Sequence, residues 1–457
     1  MLVVSACSDA PRPVERIVLV SLDTLRADHL EAYGYARDTS PAIREVADSG
    51  VRFANVVTAS SWTLPAHASM LTGLDAAGHR AFTFHPRTAI PDSVVMLPER
   101  LREHGFRTAA FVGGVFVSRR QAFDQGFETF SQPARDGVLP KRNRMRQSWE
   151  AGIEWLREHR DERAFLFLHT YRIHAPYRPR EPYDRIFDAE ADGPQPLGYS
   201  WNELQPRSWA ARASERPRAV DRLRRLYDGE IRSADDLIGE LVQVLRDEDW
   251  GKRTCLVLTS DHGEEFGEHG ELFHDSTELV QELIEVPLIF WCPGRFPSGR
   301  VVTEPVGIVD IVPTLLELAG LPVPEGLDGI SLVPLMRGGE PAGARALVSD
   351  VDLSIENPFL PFGAVDDFAL AIRVGRNKLV YHSEDGSRRL YDLGSDPDEN
   401  VDLATSRPDL LARLEPQLER AIARRRAARS HARPPDASDA ERDSQFIEQL
   451  RALGYVE

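Results

Sequence analysis

The sequence predicts an α/β fold: a mostly parallel sheet with helices on both faces, followed by a small C-terminal antiparallel sheet subdomain. Apolar runs of strand length alternate with helical patterns along much of the chain, which is typical of βαβ units and a parallel sheet. Residues 295–345 are rich in glycine and proline. Beyond them, shorter strand-like segments follow one another closely, which predicts the antiparallel sheet.

Five continuous apolar runs predict the buried strands of the main sheet, because strands covered on both faces lack polar alternation. They are RIVLVSL (16–22), RTAAFVGG (107–114), AFLFLHTY (164–171), TCLVLTS (254–260) and VPLIFWC (286–292). Residues 40–50 predict a helix in which Ser40 can cap the N-terminus and Pro41 can take the first position. Residues 215–247 predict a long amphipathic helix.

The C-terminal part of the chain predicts a separate subdomain. Its strand-like segments are LVSDV, FALAIRV, KLVYHS and RLYDL, and the helical segment PDLLARLEPQLERAIARRRAA follows them. We therefore divide the chain into a tether (1–13), a main domain (14–340), a C-terminal subdomain (341–428) and a tail (429–457). The tail begins as a polar and mobile segment, RSHARPPDASDAERDS, and ends in a short helix.

Length, charge and cysteine content limit the class of protein. A chain of 457 residues is too long for one small core. The net charge of −17, from 55 basic and 72 acidic residues, argues against nucleic acid as a partner. It does not exclude an anionic substrate, since a metal ion or a helix end can invert the local field. Of the three cysteines, Cys255 and Cys292 lie in apolar runs, which favours buried, small hydrophobic side chains over a disulfide framework.

The N-terminus leaves the localisation open. No apolar run reaches the roughly 18 residues of a membrane span. Val4 to Cys7 resemble a bacterial lipobox, although the basic segment and long apolar core of a signal peptide do not precede them. If the match is real, Cys7 carries a lipid and the protein is periplasmic or lipid-anchored outside the cytoplasm. If the match is chance, the protein is cytoplasmic. A lipid on Cys7 is the sole membrane contact that we expect.

The segment SSWTLPAHASMLTG (60–73) places a hydroxyl where a helix begins. Pro65 suits a first helical turn, where its missing N–H costs nothing, and Gly73 can end the helix. The N-terminus of a helix attracts anions through its free N–H groups and its dipole. Thr63 is therefore a candidate catalytic hydroxyl at an anion site, and an ordinary N-cap is the alternative.

Polar residues follow several of the predicted strands, and in an open α/β sheet ligands bind beyond the carboxyl ends of the strands. Asp23 follows the first strand, His174 the third, and Asp261 and His262 the fourth. Together with Thr63 they predict a site for a borderline cation such as Mn²⁺ or Zn²⁺. A cation touching the Thr63 oxygen would activate that oxygen as a nucleophile. Helix capping by Asp23 and packing of His174 in a loop remain alternatives for the single residues.

These motifs together resemble the sulfatase family of the alkaline phosphatase superfamily, over roughly residues 14–405. The matching segments follow in that family's order: RIVLVSLDTLRADHLEAYGY, SSWTLPAHASMLTG, HAPY, YDGEIRSADDLIGELVQVL, TSDHGEEFGEHG, VPLIF, VGIVDIVPTLLELAGLPVPEGLDGISLVPLM and RLYDLGSDPDENVDLA. The resemblance implies an alkaline-phosphatase-like fold. It also implies cleavage of sulfate or phosphate esters through a covalent intermediate beside a divalent metal ion.

The resemblance assigns roles to individual residues. It implies that Asp23, Asp261 and His262 bind the metal together with the Thr63 oxygen. It places Thr63 at the nucleophile. The remaining catalytic assignments are His174, as a contact to the substrate anion, and His274, near a basic position that helps the leaving group.

The chain departs from that family at three positions. Most members carry Cys or Ser at the position of Thr63 and oxidise it to formylglycine, which Thr cannot form because its β-carbon bears a methyl group. His67 occupies an Arg position and Thr24 an Asp position. These departures favour the branches of the superfamily with a Thr nucleophile. Those branches use Mn²⁺ or Zn²⁺, with Ca²⁺ as the alternative here. We expect one ion, because no Asp precedes His174 by four residues as a paired-ligand pattern would require.

The sequence therefore predicts a metal-dependent hydrolase of sulfuric or phosphoric esters that acts through Thr63. Its substrates would be small-molecule, glycan or lipid esters of sulfate or phosphate. A phosphodiesterase or phosphoalcohol transferase of the same superfamily is one alternative. The other is a member without turnover that binds an anion or a glycan.

Overall fold

The computed structural model describes residues 12–82, 88–132, 141–188, 217–247, 250, 253–274, 278–340, 343–352 and 367–430. Two predictions lie outside these residues, namely the lipid on Cys7 and the tail with its final helix beyond residue 430. Within the described part of the chain, no helix is both long enough and apolar enough to cross a membrane.

An eight-stranded sheet forms the centre of the molecule. The order of its strands is β11 (Arg300–Val302), β2 (Val51–Phe53), β10 (Leu288–Trp291), β7 (Thr254–Thr259), β1 (Arg16–Leu22), β6 (Ala164–Thr170), β4 (Arg107–Phe111) and β5 (Thr129–Ser131). Strand β10 pairs antiparallel with β2 and β7, and the other described pairs of this sheet are parallel. The prediction of a mostly parallel sheet is therefore confirmed. The strands of the molecule are β1 (Arg16–Leu22), β2 (Val51–Phe53), β3 (Val56–Val57), β4 (Arg107–Phe111), β5 (Thr129–Ser131), β6 (Ala164–Thr170), β7 (Thr254–Thr259), β8 (Glu265–Phe266), β9 (Leu272–Phe273), β10 (Leu288–Trp291), β11 (Arg300–Val302), β12 (Val306–Gly307), β13 (Leu347–Asp352), β14 (Phe368–Val374), β15 (Asn377–His382) and β16 (Arg388–Asp392).

Helices cover both faces of this sheet. The α-helices are α1 (Pro41–Ser49), α2 (Thr63–Thr72), α3 (Ala76–His79), α4 (Leu97–Glu103), α5 (Lys141–Glu158), α6 (Tyr183–Ile186), α7 (Pro217–Asp247), α8 (Gln281–Ile284), α9 (Ile311–Leu318), α10 (Val333–Met336) and α11 (Pro408–Ser430). Short 3₁₀ helices span Ala27–His29, Glu31–Tyr33, Arg119–Gln121 and Ile308–Asp310. The buried residues of α2, α4 and α9 belong to one core, and those of α1, α5 and α7 belong to the other.

Strand β1 shows why its sequence is apolar throughout. Ile17 and Leu19 enter the core on one face of the sheet, whereas Val18 and Val20 enter the core on the opposite face. Side chains alternate between the faces of a strand, so a strand with two covered faces needs apolar residues at every position.

The C-terminal subdomain is an antiparallel meander in the order β13-β14-β15-β16. Phe368, Leu370 and Ile372 of β14 form a core with the buried leucines of α11. Ala369 and Ala371, on the opposite face of the same strand, join the core of the main domain. The predicted antiparallel sheet is confirmed, and its packing attaches it firmly to the larger domain.

The two cysteines in apolar runs are buried, and they form a disulfide with each other. Cys255 lies in β7, and Cys292 directly follows β10. Because Trp291 pairs with Leu256 across these antiparallel strands, Cys292 comes opposite Cys255. The expectation that both are simple hydrophobic side chains is corrected in this respect, since the strand pairing that joins them is not visible in the sequence.

Candidate active site

The nucleophile candidate begins the buried helix α2. Trp62 is the N-cap residue, with φ −128° and ψ 143°, and Thr63 is the first helical residue. Thr63 is therefore not the N-cap, which was the structural alternative. Pro65 lies in the first turn, and Gly73 ends the helix in a left-handed conformation with φ 75°. All ten residues of α2 are buried, so the side chain of Thr63 faces the interior.

The Thr63 hydroxyl has two weak contacts. Its Oγ1 atom lies 3.4 Å from Asp23 Oδ2 and 3.4 Å from His262 Nε2. Both distances are long for hydrogen bonds that involve a hydroxyl, which centre near 2.7–2.8 Å for O–H···O. The hydroxyl is therefore held among acceptors without being tied to either of them.

The sheet brings Asp23 and Asp261 together. Strands β1 and β7 are adjacent and parallel, and Ser21 pairs with Thr259, so both aspartates come two positions later at the carboxyl edge. Thr24, beside Asp23, donates its N–H to Asp261 Oδ1 at 3.2 Å and adopts a left-handed φ of 61°. A β-branched residue rarely adopts this conformation, and such strain is concentrated at functional sites.

The two carboxylates form a buried pair with excess negative charge. Burial and the neighbouring Asp261 raise the pKa of Asp23 well above its usual range. Burial alone would also raise the pKa of Asp261. The positive charges that His262, His67 and His169 acquire at low pH outweigh that effect and lower the pKa of Asp261 to about 2. Within the described residues, Asp23 Oδ1 and Asp261 Oδ2 are buried without a hydrogen-bond partner.

His262 presents a lone pair to these oxygens. Its Nδ1–H donates to the carbonyl oxygen of Gly263 at 2.9 Å, which makes Nε2 the unprotonated nitrogen of the neutral ring. Nε2 lies 3.4 Å from Asp261 Oδ2. Burial lowers the pKa of His262 to about 4, although Asp261 opposes the shift. The ring is therefore neutral at physiological pH and able to bind a cation.

The acceptor atoms of Asp23, Asp261 and His262 fit a cation. They lie within 4.8 Å of one another, and all three side chains are buried. Converging lone pairs in the absence of a donor repel one another, and a divalent ion would satisfy them. Two carboxylates and one imidazole are ligands that suit Mn²⁺ or Zn²⁺.

A second group of similar composition, Asp23 with His67 and His169, fits less well. Its atoms are equally close, but the nitrogens already have partners. His67 donates from Nδ1 to the Thr63 carbonyl at 2.8 Å and accepts at Nε2 from the Ser21 hydroxyl at 2.9 Å. His169 accepts at Nδ1 from a backbone N–H at 3.3 Å and approaches Asp23 Oδ2 with Nε2 at 3.3 Å. The hydrogen bonds therefore favour one metal ion, held by the first group.

The other two predicted residues lie in the same cluster. The ring centroid of His274 is 4.8 Å from that of His174 and 4.7 Å from that of His262. His174 donates from Nδ1 to the Ala175 carbonyl at 2.6 Å, and His274 bonds to Glu264 Oε1 at 3.0 Å. The structure thus brings together all six residues proposed from the sequence: Asp23, Thr63, His174, Asp261, His262 and His274.

The cluster also contains residues to which the sequence patterns do not point. The sequence patterns assign no role to Ser21, Tyr177 or Glu264, and they offer His169 only as a ligand for a second metal ion. The resemblance marks His67 only as a departure from the family pattern. Burial lowers the pKa of His67, so it does not supply the fixed positive charge that an Arg would provide. The position of Glu264, two residues after His262, was the signal that could have identified it.

Comparison with known proteins identifies the family. The sequence model of the sulfatase family matches residues 15–321, and that of the C-terminal region of N-sulphoglucosamine sulphohydrolase matches residues 267–426. The chain is 24% identical over 428 residues to arylsulfatase K of Homo sapiens, covering 83% of this chain and 76% of that protein. It is 27% identical over 369 residues to N-acetylgalactosamine-6-sulfatase of Canis lupus familiaris, covering 74% and 70% respectively.

A solved structure shares the fold. The phosphonate monoester hydrolase of Agrobacterium radiobacter superposes with a TM-score of 0.72 at 24% identity. The alignment covers 91% of this chain and 96% of that one. The central sheet and its helices are therefore those of an established hydrolase fold.

Proposed function

This chain belongs to the sulfatase family of ester hydrolases, and we propose that it is a metal-dependent hydrolase of sulfuric or phosphoric esters with Thr63 as the nucleophile. One observation carries the proposal. The Thr63 hydroxyl begins a buried helix and lies 3.4 Å from both Asp23 Oδ2 and His262 Nε2. A hydroxyl placed between potential metal ligands at a helix N-terminus is suited to attack an anionic ester.

Asp23, Asp261 and His262 would hold the metal, with the oxygen of Thr63 beside them. The imidazole ligand favours Mn²⁺ or Zn²⁺ over Ca²⁺, which prefers oxygen ligands throughout. When bound, such an ion supplies Lewis acidity that polarises the ester and makes the Thr63 hydroxyl more acidic.

The residues of the chain can carry out both halves of the reaction. Thr63 Oγ1 forms a bond to sulfur or phosphorus, its proton passes to Asp23 Oδ2, and the bond to the leaving oxygen breaks. His274 gives a proton to that oxygen and then takes one from the water that attacks the Thr63 ester. The released Thr63 oxygen recovers its proton from Asp23. The N–H groups of the first turn of α2 stabilise the anion throughout, and His174 contacts it.

The β-carbon of Thr63 carries no second hydroxyl, and this absence determines how the covalent ester is released. Formylglycine can expel sulfate from its own carbon because that carbon becomes a carbonyl again. The β-carbon of Thr63 cannot do so, and the intermediate is therefore hydrolysed by a second attack at sulfur or phosphorus. In that second step His274 takes a proton from the attacking water, and Asp23 returns a proton to the released Thr63 oxygen.

The similar proteins suggest which substrates to test. N-acetylgalactosamine-6-sulfatase and phosphonate monoester hydrolase are named for a sulfated sugar and a phosphonate ester. We propose that the substrate of this chain has the feature that both share, namely a tetrahedral anionic ester on a small molecule or a glycan.

We also propose that the protein works outside the cytoplasm, either lipid-anchored or periplasmic. The lipobox-like residues before Cys7 and the disulfide between Cys255 and Cys292 support this location, because disulfides persist in oxidising compartments. Mass spectrometry of the protein from its native membranes would test it. Two thiols and an unmodified Cys7 would contradict it.

The test of the catalytic proposal is a hydrolysis assay with matched substrates. Protein stripped of metal is given 4-nitrophenyl sulfate, 4-nitrophenyl phosphate, bis(4-nitrophenyl) phosphate, a phenylphosphonate monoester and N-acetylgalactosamine 6-sulfate. Each is tested with Mn²⁺, Zn²⁺ and Ca²⁺, and Thr63→Ala is the control. We expect cleavage that needs Mn²⁺ or Zn²⁺ and is lost in the variant. Cleavage that survives in Thr63→Ala would refute the nucleophile. Metal binding without turnover of any ester would favour an anion-binding or glycan-binding protein.

A further inference from the structure

Glu264 forms a bridge between two aromatic groups beside the proposed active site. Its Oε1 atom lies 3.0 Å from His274 Nδ1, and its Oε2 atom accepts the Tyr177 hydroxyl at 2.7 Å. All three side chains are buried. Carboxylate oxygens accept hydrogen bonds, and Tyr177 donates its hydroxyl to Oε2. His274 must then carry a proton on Nδ1.

The backbone of Glu264 is fixed independently of these contacts. Its N–H donates to the Glu282 carbonyl at 3.1 Å, and its carbonyl accepts from Arg26 Nη1 at 2.8 Å. The preceding residue, Gly263, lies so close to Glu282 that a Cβ atom there would be 1.9 Å from the Glu282 oxygen. Only glycine permits this approach. The carboxylate therefore extends from a rigid turn and not from a mobile loop.

We infer that Glu264 is the positioning residue of His274, and that Tyr177 holds the carboxylate in place. This inference rests on the proposed function, in which His274 exchanges a proton with the leaving oxygen. A hydrogen bond at Nδ1 fixes the tautomer and orientation of an imidazole, so that Nε2 is the nitrogen that serves the reaction. A carboxylate at Nδ1 also stabilises the imidazolium that donates the proton, as in other carboxylate–histidine pairs of hydrolases.

The same short segment orients the second histidine. His174, Ala175 and Tyr177 lie within four residues, and His174 donates from Nδ1 to the Ala175 carbonyl at 2.6 Å. Its ring is 4.8 Å from that of His274. One segment of the chain therefore positions both histidines, His174 through its own backbone and His274 through Tyr177 and Glu264.

The inference predicts an effect that depends on the leaving group. A general acid contributes about 10²–10⁴-fold where the leaving oxygen is a poor leaving group, and little where it leaves unaided. Glu264→Gln keeps the shape of the side chain but removes its charge. We expect kcat/KM to fall about 10–100-fold for a phenyl ester and less than about threefold for the 4-nitrophenyl ester of the same acid. Tyr177→Phe should show the same trend with a smaller amplitude.

The matched control is Glu268→Gln, which makes the same chemical change in the same loop. Glu268 pairs with Arg26 and Arg224, and we expect equal changes for both esters. A cycle with His274→Ala provides a second readout. In that background, adding Glu264→Gln should change kcat/KM for the phenyl ester by less than about twofold, because the group that Glu264 positions is gone.

The outcomes separate the inference from the function on which it rests. If the wild-type protein cleaves neither ester with any metal, the proposed function fails and the inference fails with it. If the wild type is active but Glu264→Gln lowers both rates equally, the inference alone is wrong and Glu264 only supports the fold. Full additivity with His274→Ala would overturn it in the same way. Thermal unfolding of each variant shows whether a loss of folded protein explains a lost rate.

Discussion

Repulsion between the buried carboxylates of Asp23 and Asp261 destabilises the metal-free protein. Asp23→Asn should therefore raise the free energy of unfolding of the metal-free protein. The ligand atoms of the two residues lie within 4.8 Å of each other. At an effective dielectric constant of about 20, two unit charges at that distance repel by about 3.5 kcal/mol. The protein already relieves part of this repulsion, since the pKa of Asp23 is raised well above its usual range by burial and by Asp261.

We expect Asp23→Asn to raise the free energy of unfolding of the metal-free protein by about 1–3 kcal/mol, as a fraction of that repulsion. An asparagine oxygen can still accept from His169, which lies 3.3 Å from Asp23 Oδ2, and its amide can donate to the buried Oδ2 of Asp261. The same variant should lose its response to metal. An ion at 100 times its Kd stabilises a protein by about 2.7 kcal/mol, and we expect less than about 1 kcal/mol in the variant.

The assay is urea unfolding followed by tryptophan fluorescence, in chelator and in Mn²⁺ or Zn²⁺. Asp48→Asn is the control, because Asp48 is an exposed aspartate of α1, where such a change should stay within about 0.5 kcal/mol. A metal-free Asp23→Asn protein that is less stable than the wild type would refute the electrostatic reasoning. An undiminished response to metal would refute the ligand assignment.

Three further substitutions test other parts of the structure. Thr63→Val should change the free energy of unfolding by less than about 1 kcal/mol, since both hydroxyl contacts are long. It should nevertheless lower kcat/KM more than about 10³-fold, because the nucleophile is lost. Urea unfolding checks the first result and the hydrolysis assay checks the second. Burial lowers the pKa of His79 from 6.5 to about 3, so below pH 6.5 the unfolded chain takes up a proton that the folded protein excludes. Between pH 7 and pH 5 the wild type should lose about 2 kcal/mol more stability than His79→Gln, and equal losses in urea unfolding would contradict this. Asp235 of α7 accepts hydrogen bonds from the N–H groups of Ala42 and Ile43 at 2.9 and 2.8 Å and so caps α1. Asp235→Ala should lower the free energy of unfolding by about 2 kcal/mol in the same assay. A decrease below about 0.5 kcal/mol would show that the cap is dispensable.

Much of the fold could be predicted because its strands are buried on both faces. The apolar runs that became β1, β6 and β7 required no knowledge of their neighbours. The direction of β10 could not be predicted, because an apolar run reads the same in either orientation. The disulfide depends on that direction, since only antiparallel pairing places Cys292 opposite Cys255.

The candidate site was predictable where residues follow strand ends. Asp23 and Asp261 are 238 positions apart, but adjacent parallel strands bring their carboxyl ends to one edge. Glu264 follows the same strand end as His262 and could have been considered there. Tyr177 could not be found in this way, because its contact with Glu264 arises only when two loops meet. The sequence favours one metal ion, but it cannot decide whether a second one binds. That decision depends on hydrogen bonds that occupy the nitrogens of His67 and His169.

The charges of the site favour a singly charged ester. Burial lowers the pKa values of His67, His169 and His262, so these rings are neutral, and a divalent ion balances the two carboxylates. His67 then supplies no fixed positive charge at the position where the family resemblance implies an Arg. The first turn of α2 carries about half a positive charge, so it offsets at most one negative charge of the ester. We therefore expect higher kcat/KM for bis(4-nitrophenyl) phosphate or 4-nitrophenyl sulfate than for the dianion 4-nitrophenyl phosphate. If each uncompensated charge weakens transition-state binding by about 1.4 kcal/mol or more, kcat/KM falls by about tenfold or more per charge. His67→Arg should shift the preference towards the dianion, because it adds a fixed positive charge. A wild type that prefers the dianion at the same pH would contradict this reasoning, because a positive group would then already lie among the partners of the substrate. In that case His67→Arg would leave the preference unchanged.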